Sequence, residues 1–407
     1  MDEETPAIPV KKLRAIRFIE QQVLDVPREV RLLLAMQFLM NLSTFTAMPL
    51  MAVYMTSHLG LSATVLGTVF TIHLAMGRAL PIVTGPLVDR FGFRNMMVLG
   101  LLVRAGGFWY FSFGHDAFSI ICATVFIGLG TSGYESALYG IFGRQPDAIV
   151  TRVFILNNFA LNLGVVVGPS LGALLVATDV LMPFRIAAVF FAALGLFSFS
   201  LGRLDKKYAS RSAITDSWKK VFSDLRFMSF LAVTFPWWVL FAQLFVAFPL
   251  LATQIDGRET AANMVFIANG VSGLVFVVGS LVVFKWVSAL RMTLYCYTGL
   301  SLLYLLGIGA GTLPMLLAIV FAYTIAETMI LPAIETITAE LAPDGSQSTY
   351  FGALGLMWGA GMAVGSYMGS WLVLDLKISG VTWLVYSLIA ATGAVGTILY
   401  AKAFIRN

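Results

Sequence analysis

Ionisable side chains buried in long apolar runs are costly and are usually retained for a purpose. Here they are His73, Arg78, Arg104, Glu135, Glu327 and Glu335. A carboxyl removed from water and left without a counter-charge is poised to exchange a proton, and Glu135 and Glu327 are the leading positions for that role. Glu335 lies eight residues beyond Glu327, just over two helical turns, so the two carboxyls share roughly one face. His73 is the one imidazole that would titrate in such a run. Each has a plainer reading: a static ion pair of Glu135 with Arg78 or Arg104, a gate contact for Glu335, and a packed, hydrogen-bonded ring for His73. The two arginines would either attract an anion or brace helices through backbone carbonyls. Neutral polar residues Asn41, Asn158, Asn162, Gln243 and Asn269, with aromatic faces from Trp237, Trp238, Tyr323 and Trp358, complete a candidate substrate cavity.

The elements that must hold these residues are set by composition. The 407 residues are 59% hydrophobic and 12% charged, whereas a water-exposed domain carries about a quarter charged residues. Roughly 20 apolar residues cross a bilayer as a helix, and the long, non-alternating runs exclude a barrel. Spans are predicted at 32–56, 62–84, 95–113, 117–143, 149–177 and 180–202, then at 228–253, 260–284, 292–311, 314–341, 349–374 and 380–403. The expected division is therefore an N-terminal segment 1–31, a six-helix half 32–202, a linker 203–227, a second half 228–403 and a tail 404–407. Arg258 and Lys377 fall in connections on one side, and Arg78, Arg104 and Arg185 lie in or at the edges of spans. All the rest of the 26 Lys and Arg fall on the other side, which predicts both termini in the cytoplasm.

Leu13, Ile16, Ile19 and Val23 share one face near the N-terminus, as in a short surface helix or a partly helical solvated tail. That segment has no signal-peptide core. Cys122 and Cys296 read as packing residues, since they form neither a metal pattern nor a disulfide framework. Nothing points to a metal, a cofactor or nucleic acid, and the basic excess follows a membrane pattern.

The two halves repeat. Gly164-Val-Val-Val-Gly168-Pro169-Ser-Leu-Gly172 corresponds to Gly361-Met-Ala-Val-Gly365-Ser366-Tyr-Met-Gly369, and Gly85-Pro-Leu-Val88 to Gly279-Ser-Leu-Val282, as in secondary transporters with substrate held between repeats. The loop predicted after span two, Gly85-Pro-Leu-Val-Asp89-Arg90-Phe-Gly92-Phe-Arg94, resembles the G-x-x-x-D-R-x-G-R-R/K signature of the major facilitator superfamily, with Phe93 and Arg94 in place of the final basic pair. The resemblance implies that Asp89 faces the N-terminus of span eleven and that Arg90 and Arg94 hold the turn. Gly164-x-x-x-Gly168-Pro169-x-x-Gly172 resembles the family's fifth-helix antiporter motif. The fourth-span arginine of many members is not evident, and Thr124 stands about where it is expected.

The resemblance implies an all-α integral membrane protein of the major facilitator fold and the drug–proton antiporter branch. It would be a monomeric, multi-pass protein of a bacterial inner membrane. The expected function is proton-coupled export of small amphipathic or drug-like molecules, with protons and the bilayer as its other partners. Export of a polar anionic metabolite, such as a carboxylate siderophore or a lipid-derived anion, is the alternative, and a non-transporting sensor is a second. No nucleophile–base set or nucleotide loop argues for an enzyme or for ATP drive.

Overall fold

A computed structural model describes residues 20–201, 214–258, 260–376 and 379–404. Most of the proposed N-terminal surface helix, much of the linker and the tail beyond 404 lie outside these residues. Every regular element among the described residues is helical.

The first half comprises α1 (Arg28–Val53, extended by a π-helical turn to His58), α2 (Ala63–Arg78), α3 (Pro81–Phe91), α4 (Phe93–Phe111), α5 (Ala117–Gly143), α6 (Asp147–Val176) and α7 (Met182–Ser198). A short connector helix, α8 (Ile214–Ser223), leads to α9 (Leu225–Phe241), α10 (Ala247–Asp256), α11 (Thr260–Val283), α12 (Ala289–Gly307), α13 (Leu313–Leu341), α14 (Gln347–Ser370) and α15 (Ser379–Phe404). With α2–α3 and α9–α10 each taken as one broken span, the twelve expected crossings are present. Ten of them are long and apolar enough to cross a membrane by length and composition. The other two, α4 and α14, are diluted by Arg94 and Arg104 and by glycines and serines. They lie deep in the packing, α4 on α5 and α7, and α14 on α3 and α9.

Three features differ from the sequence-based expectation. The stretch 85–91 is helix rather than loop: Pro81 starts α3 at its first turn, where a missing N–H costs nothing, and the chain turns only at Gly92, whose φ of 91° suits a residue without Cβ. The second span is also interrupted at Ala79–Leu80, directly after Arg78. Span seven breaks likewise, passing through a single 3-10 turn, Ala242–Leu244, before α10.

The repeat is visible in the packing. α1 packs on α6 as α9 packs on α14, α4 on α7 as α12 on α15, and α2 on α5 as α11 on α13. The glycine series explains the first pair. A Cβ at Gly164 would lie 2.7 Å from Asn41 Cβ, and one at Gly168 would lie 2.7 Å from Phe45 Cβ. Gly361 and Gly365 bear in the same way on Trp238 and Val239 of α9. Small residues at this spacing let two helix backbones approach, and α6 runs unbroken through Pro169. The shorter Gly85/Gly279 match is not a packing match, because Gly85 abuts the Ser348 backbone whereas nothing lies within 4 Å of a Cβ at Gly279.

Gly168→Ala and Gly365→Ala are therefore expected to lower stability in detergent by about 1–3 kcal/mol each, the usual cost of overpacking. Gly279→Ala is expected to leave it unchanged or slightly raised, because alanine is the better helix former. Thermal denaturation of the three purified variants checks this.

Candidate functional site

The halves meet most tightly at the face carrying Arg90, Arg94, Arg144 and Arg152, here termed the basic face. A Cβ at Gly85 would run into the Ser348 backbone, and one at Gly352 into the Pro81 carbonyl, so α3 and α14 are in backbone contact. Asp89, 2% exposed, ends α3 directly against the first turn of α14. Its carboxylate accepts from the Thr349 amide at 3.0 Å, the Ser348 amide at 3.3 Å and the Thr349 hydroxyl at 2.7 Å. These amides are donors that a helix start leaves without internal partners, and the positive end of the helix dipole favours a carboxylate there.

Arg144, at the end of α5, pairs with Asp89 at 3.3 Å and donates through Nε to Gln347 Oε1 at 2.9 Å. Its guanidinium covers the Phe93 ring at 4.4 Å. Gln347 Oε1 also accepts from the Gly345 amide. Arg90 is exposed and lies near the Phe91 ring, and Arg94 donates to Asn95. Of the described basic residues at this end, Arg144 is the one that pairs with Asp89, a role the signature motif did not reveal.

Beyond this seal lies a cavity between the halves. Arg78, Glu135, Ser136, Tyr139 and Asn158 line it from the first half, and Trp238, Leu331, Glu335, Phe351 and Trp358 from the second. Arg78 pairs with Glu135 at 3.3 Å across α2 and α5, while its guanidinium lies 3.3 Å over the Trp358 ring of the other half. Trp358 stacks on Trp238 at 5.0 Å and 17°. Glu335 faces the Tyr139 hydroxyl, and its Oε2 is buried without a hydrogen-bond partner, as are the indole N–H groups of Trp238 and Trp358.

The other expected site residues are placed elsewhere. Glu327 accepts from Asn269 Nδ2 at 2.6 Å, and Asn269 also donates to Thr324, so this carboxyl belongs to the α11–α13 contact. Arg104 is 1% exposed and sits inside the first half. It donates to the hydroxyls of Thr44, Thr131 and Tyr134 and lies 4.6 Å over the Phe191 ring. It is thus a brace, through hydroxyls rather than the expected carbonyls.

Gln243, fully buried, donates to the Val239 and Gly365 carbonyls and accepts from the Tyr386 hydroxyl. Tyr323, also buried, stacks on Trp237 at 5.8 Å. Asn41 donates to the Leu161 carbonyl, and Asn162 donates to Asn158. His73 lies near Arg78 and Arg104 with Nδ1 buried and unpartnered. Thr124, fully buried, donates back to the Ile120 carbonyl. Of the expected site residues, the structure brings together Arg78, Glu135, Asn158, Trp238, Glu335 and Trp358 around the cavity. Sequence reasoning missed Tyr139 and Phe351, although Tyr139 stands one helical turn from Glu135.

A family model described as Major Facilitator Superfamily matches residues 33–366. The chain is 26% identical over 347 residues to the multidrug resistance protein MdtH of Salmonella typhimurium and to that of Salmonella newport, covering 84% of this chain and 85% of each relative. Among solved structures, the crystal structure of the human organic anion transporter MFSD10 (TETRAN) superposes with a TM-score of 0.75 at 18% identity, covering 91% of this chain and all of that one. That last likeness is one of fold.

Asp89→Asn removes the charge bound by Arg144 and by the first amides of α14, a loss of about 3–5 kcal/mol for the closed arrangement. Spin labels at Asn95 and Lys402, exposed near the basic face on opposite halves, are expected to report a longer separation in this variant, measured by pulsed dipolar spectroscopy.

Proposed function

The chain belongs to the Major Facilitator Superfamily, and on that premise we propose that it is a proton-coupled exporter of small amphipathic or drug-like molecules. In this reading the basic face and both termini lie in the cytoplasm. The arrangement described above is then closed inward and open toward the outside, one of the two states of alternating access.

The observation that carries the reading is the composition of the cavity. Stacked Trp238 and Trp358 offer a broad apolar face next to a carboxyl, Glu335, that forms no ion pair among the described residues. An amphipathic ring system would cover the indoles while a proton occupies the carboxyl. Glu135 is already matched by Arg78, so Glu335 is the better coupling group in the cavity, and Glu327, held by a neutral asparagine, is the second. The likeness to multidrug resistance proteins supports the direction of transport and the cargo class.

The reading with an anionic cargo rests on Arg78, which is part-exposed in the cavity. Its charge is balanced by Glu135, so an anion would have to displace that carboxylate. In proteoliposomes, Glu335→Gln is expected to abolish uphill efflux driven by a pH gradient while leaving substrate counterflow within about threefold of wild type. Arg78→Ala is expected to weaken substrate binding more than tenfold only if the cargo is anionic. Coupling that survives in both Glu335→Gln and Glu327→Gln would show that the proton is carried elsewhere.

A further inference from the structure

Helix α3 contains Pro86. Proline has no N–H, so the carbonyl four residues earlier, that of Ile82, has no helical donor. This carbonyl lies on the helix that seals against α14, where an unsatisfied acceptor is destabilising. The structure supplies a donor from another element: Trp218 Nε1 of the connector helix α8 donates to Ile82 O at 2.9 Å.

Several features make α8 a bridge rather than a passing segment. It packs on α3 of the first half and on both α9 and α14 of the second. Ser217 and Val221 are fully buried on its inner side, while Asp216, Lys219 and Lys220 face out. Just past its end, Asp224 caps α9 by accepting from the Phe227 amide at 2.9 Å, and it also accepts from the Tyr350 hydroxyl of α14 at 2.8 Å. The Tyr350 ring in turn packs on Phe227 at 4.4 Å. The connector is thereby tied to the second half by Asp224 and to the first by the Trp218 indole.

We propose that α8 is a clip on the basic-face seal, with Trp218 as a positioning residue whose indole N–H, bonded to the carbonyl freed by Pro86, holds the halves closed at this end. When α3 and α14 separate, α8 cannot follow both, and the Trp218–Ile82 bond, a polar tie of α8 to the first half, must break. The clip sets the balance between the two access states, and it stands whether or not the cargo and coupling ion are those proposed above.

The test is a double-mutant cycle in the full-length protein, with Cys122 and Cys296 replaced by serine and spin labels at Asn95 and Lys402. Trp218→Phe keeps an aromatic side chain and removes the donor. It is expected to raise the ratio of open to closed populations by roughly five- to tenfold, the scale of one lost hydrogen bond to a buried acceptor. Pro86→Ala restores a backbone donor for Ile82, and in that background Trp218→Phe is expected to change the ratio less than about twofold. An equal shift in both backgrounds, or none in the parent protein, overturns the proposal.

If Pro86→Ala does not fold, indole N–H resonances of protein labelled with nitrogen-15 tryptophan decide the matter. The Trp218 signal is expected to lie at a hydrogen-bonded position in the parent protein. It is expected to move in Asp89→Asn preparations whose label distances report the open arrangement. A signal that is the same in both overturns the clip.

Discussion

The contact on which the rest of this structure depends is a carboxylate at a helix start. Asp89 terminates one helix of the first half and completes the first turn of α14 in the second, so a single buried side chain satisfies two backbone amides and a hydroxyl across the interface. Arg144 supplies the opposing charge from α5 and reaches Gln347 on the same turn. The glycines at 85 and 352 exist for this contact, since any side chain there would hold the backbones apart. A seal made of charge-assisted hydrogen bonds in a closely packed joint is strong when formed and has few intermediate arrangements. A two-state carrier needs that kind of joint.

Within each half the charges are handled differently. Arg104 is consumed by three hydroxyls and an aromatic ring, and it stiffens the first half as a unit. Gln243 plays a similar part in the second half, joining α9 to α14 and to Tyr386. With each half braced internally, motion is directed to the surface between them. The cavity lies on that surface. Its Arg78 is shared between a carboxylate of its own half and an indole of the other, so a movement of the halves changes the surroundings of Glu135, Arg78 and Trp358 together.

Much of this was legible in the sequence, for physical reasons. The twelve crossings follow from run length, the repeat from glycine spacing, and the Asp89 contact from a signature placed between the second and third spans. The glycines of the fifth-helix motif showed that some helix would approach closely. What the sequence did not disclose was partnership across long separations. Arg78 and Arg104 look alike as arginines in apolar runs, yet one opens to the cavity and the other is sealed among Thr44, Thr131 and Tyr134, a difference set by tertiary packing. Likewise Glu327 and Glu335 share one helix face in projection, but the first meets Asn269 and the second Tyr139, because α13 contacts both halves. Trp218 was invisible as a partner of Ile82, since the need for it arises from Pro86, in a different segment.

The central claim is that this arrangement is sealed at the basic face and admits solvent to the cavity from the opposite side. The most direct measurement uses a single cysteine at Leu161, which lines the cavity, with Cys122 and Cys296 replaced by serine. A charged, membrane-impermeant thiol reagent is applied to membrane vesicles of each orientation. The expected result is rapid modification when the reagent meets the face opposite the basic one, slow modification from the basic face, and acceleration from the basic face in Asp89→Asn. Modification as fast from the basic face as from the other, with no change in Asp89→Asn, would contradict the claim.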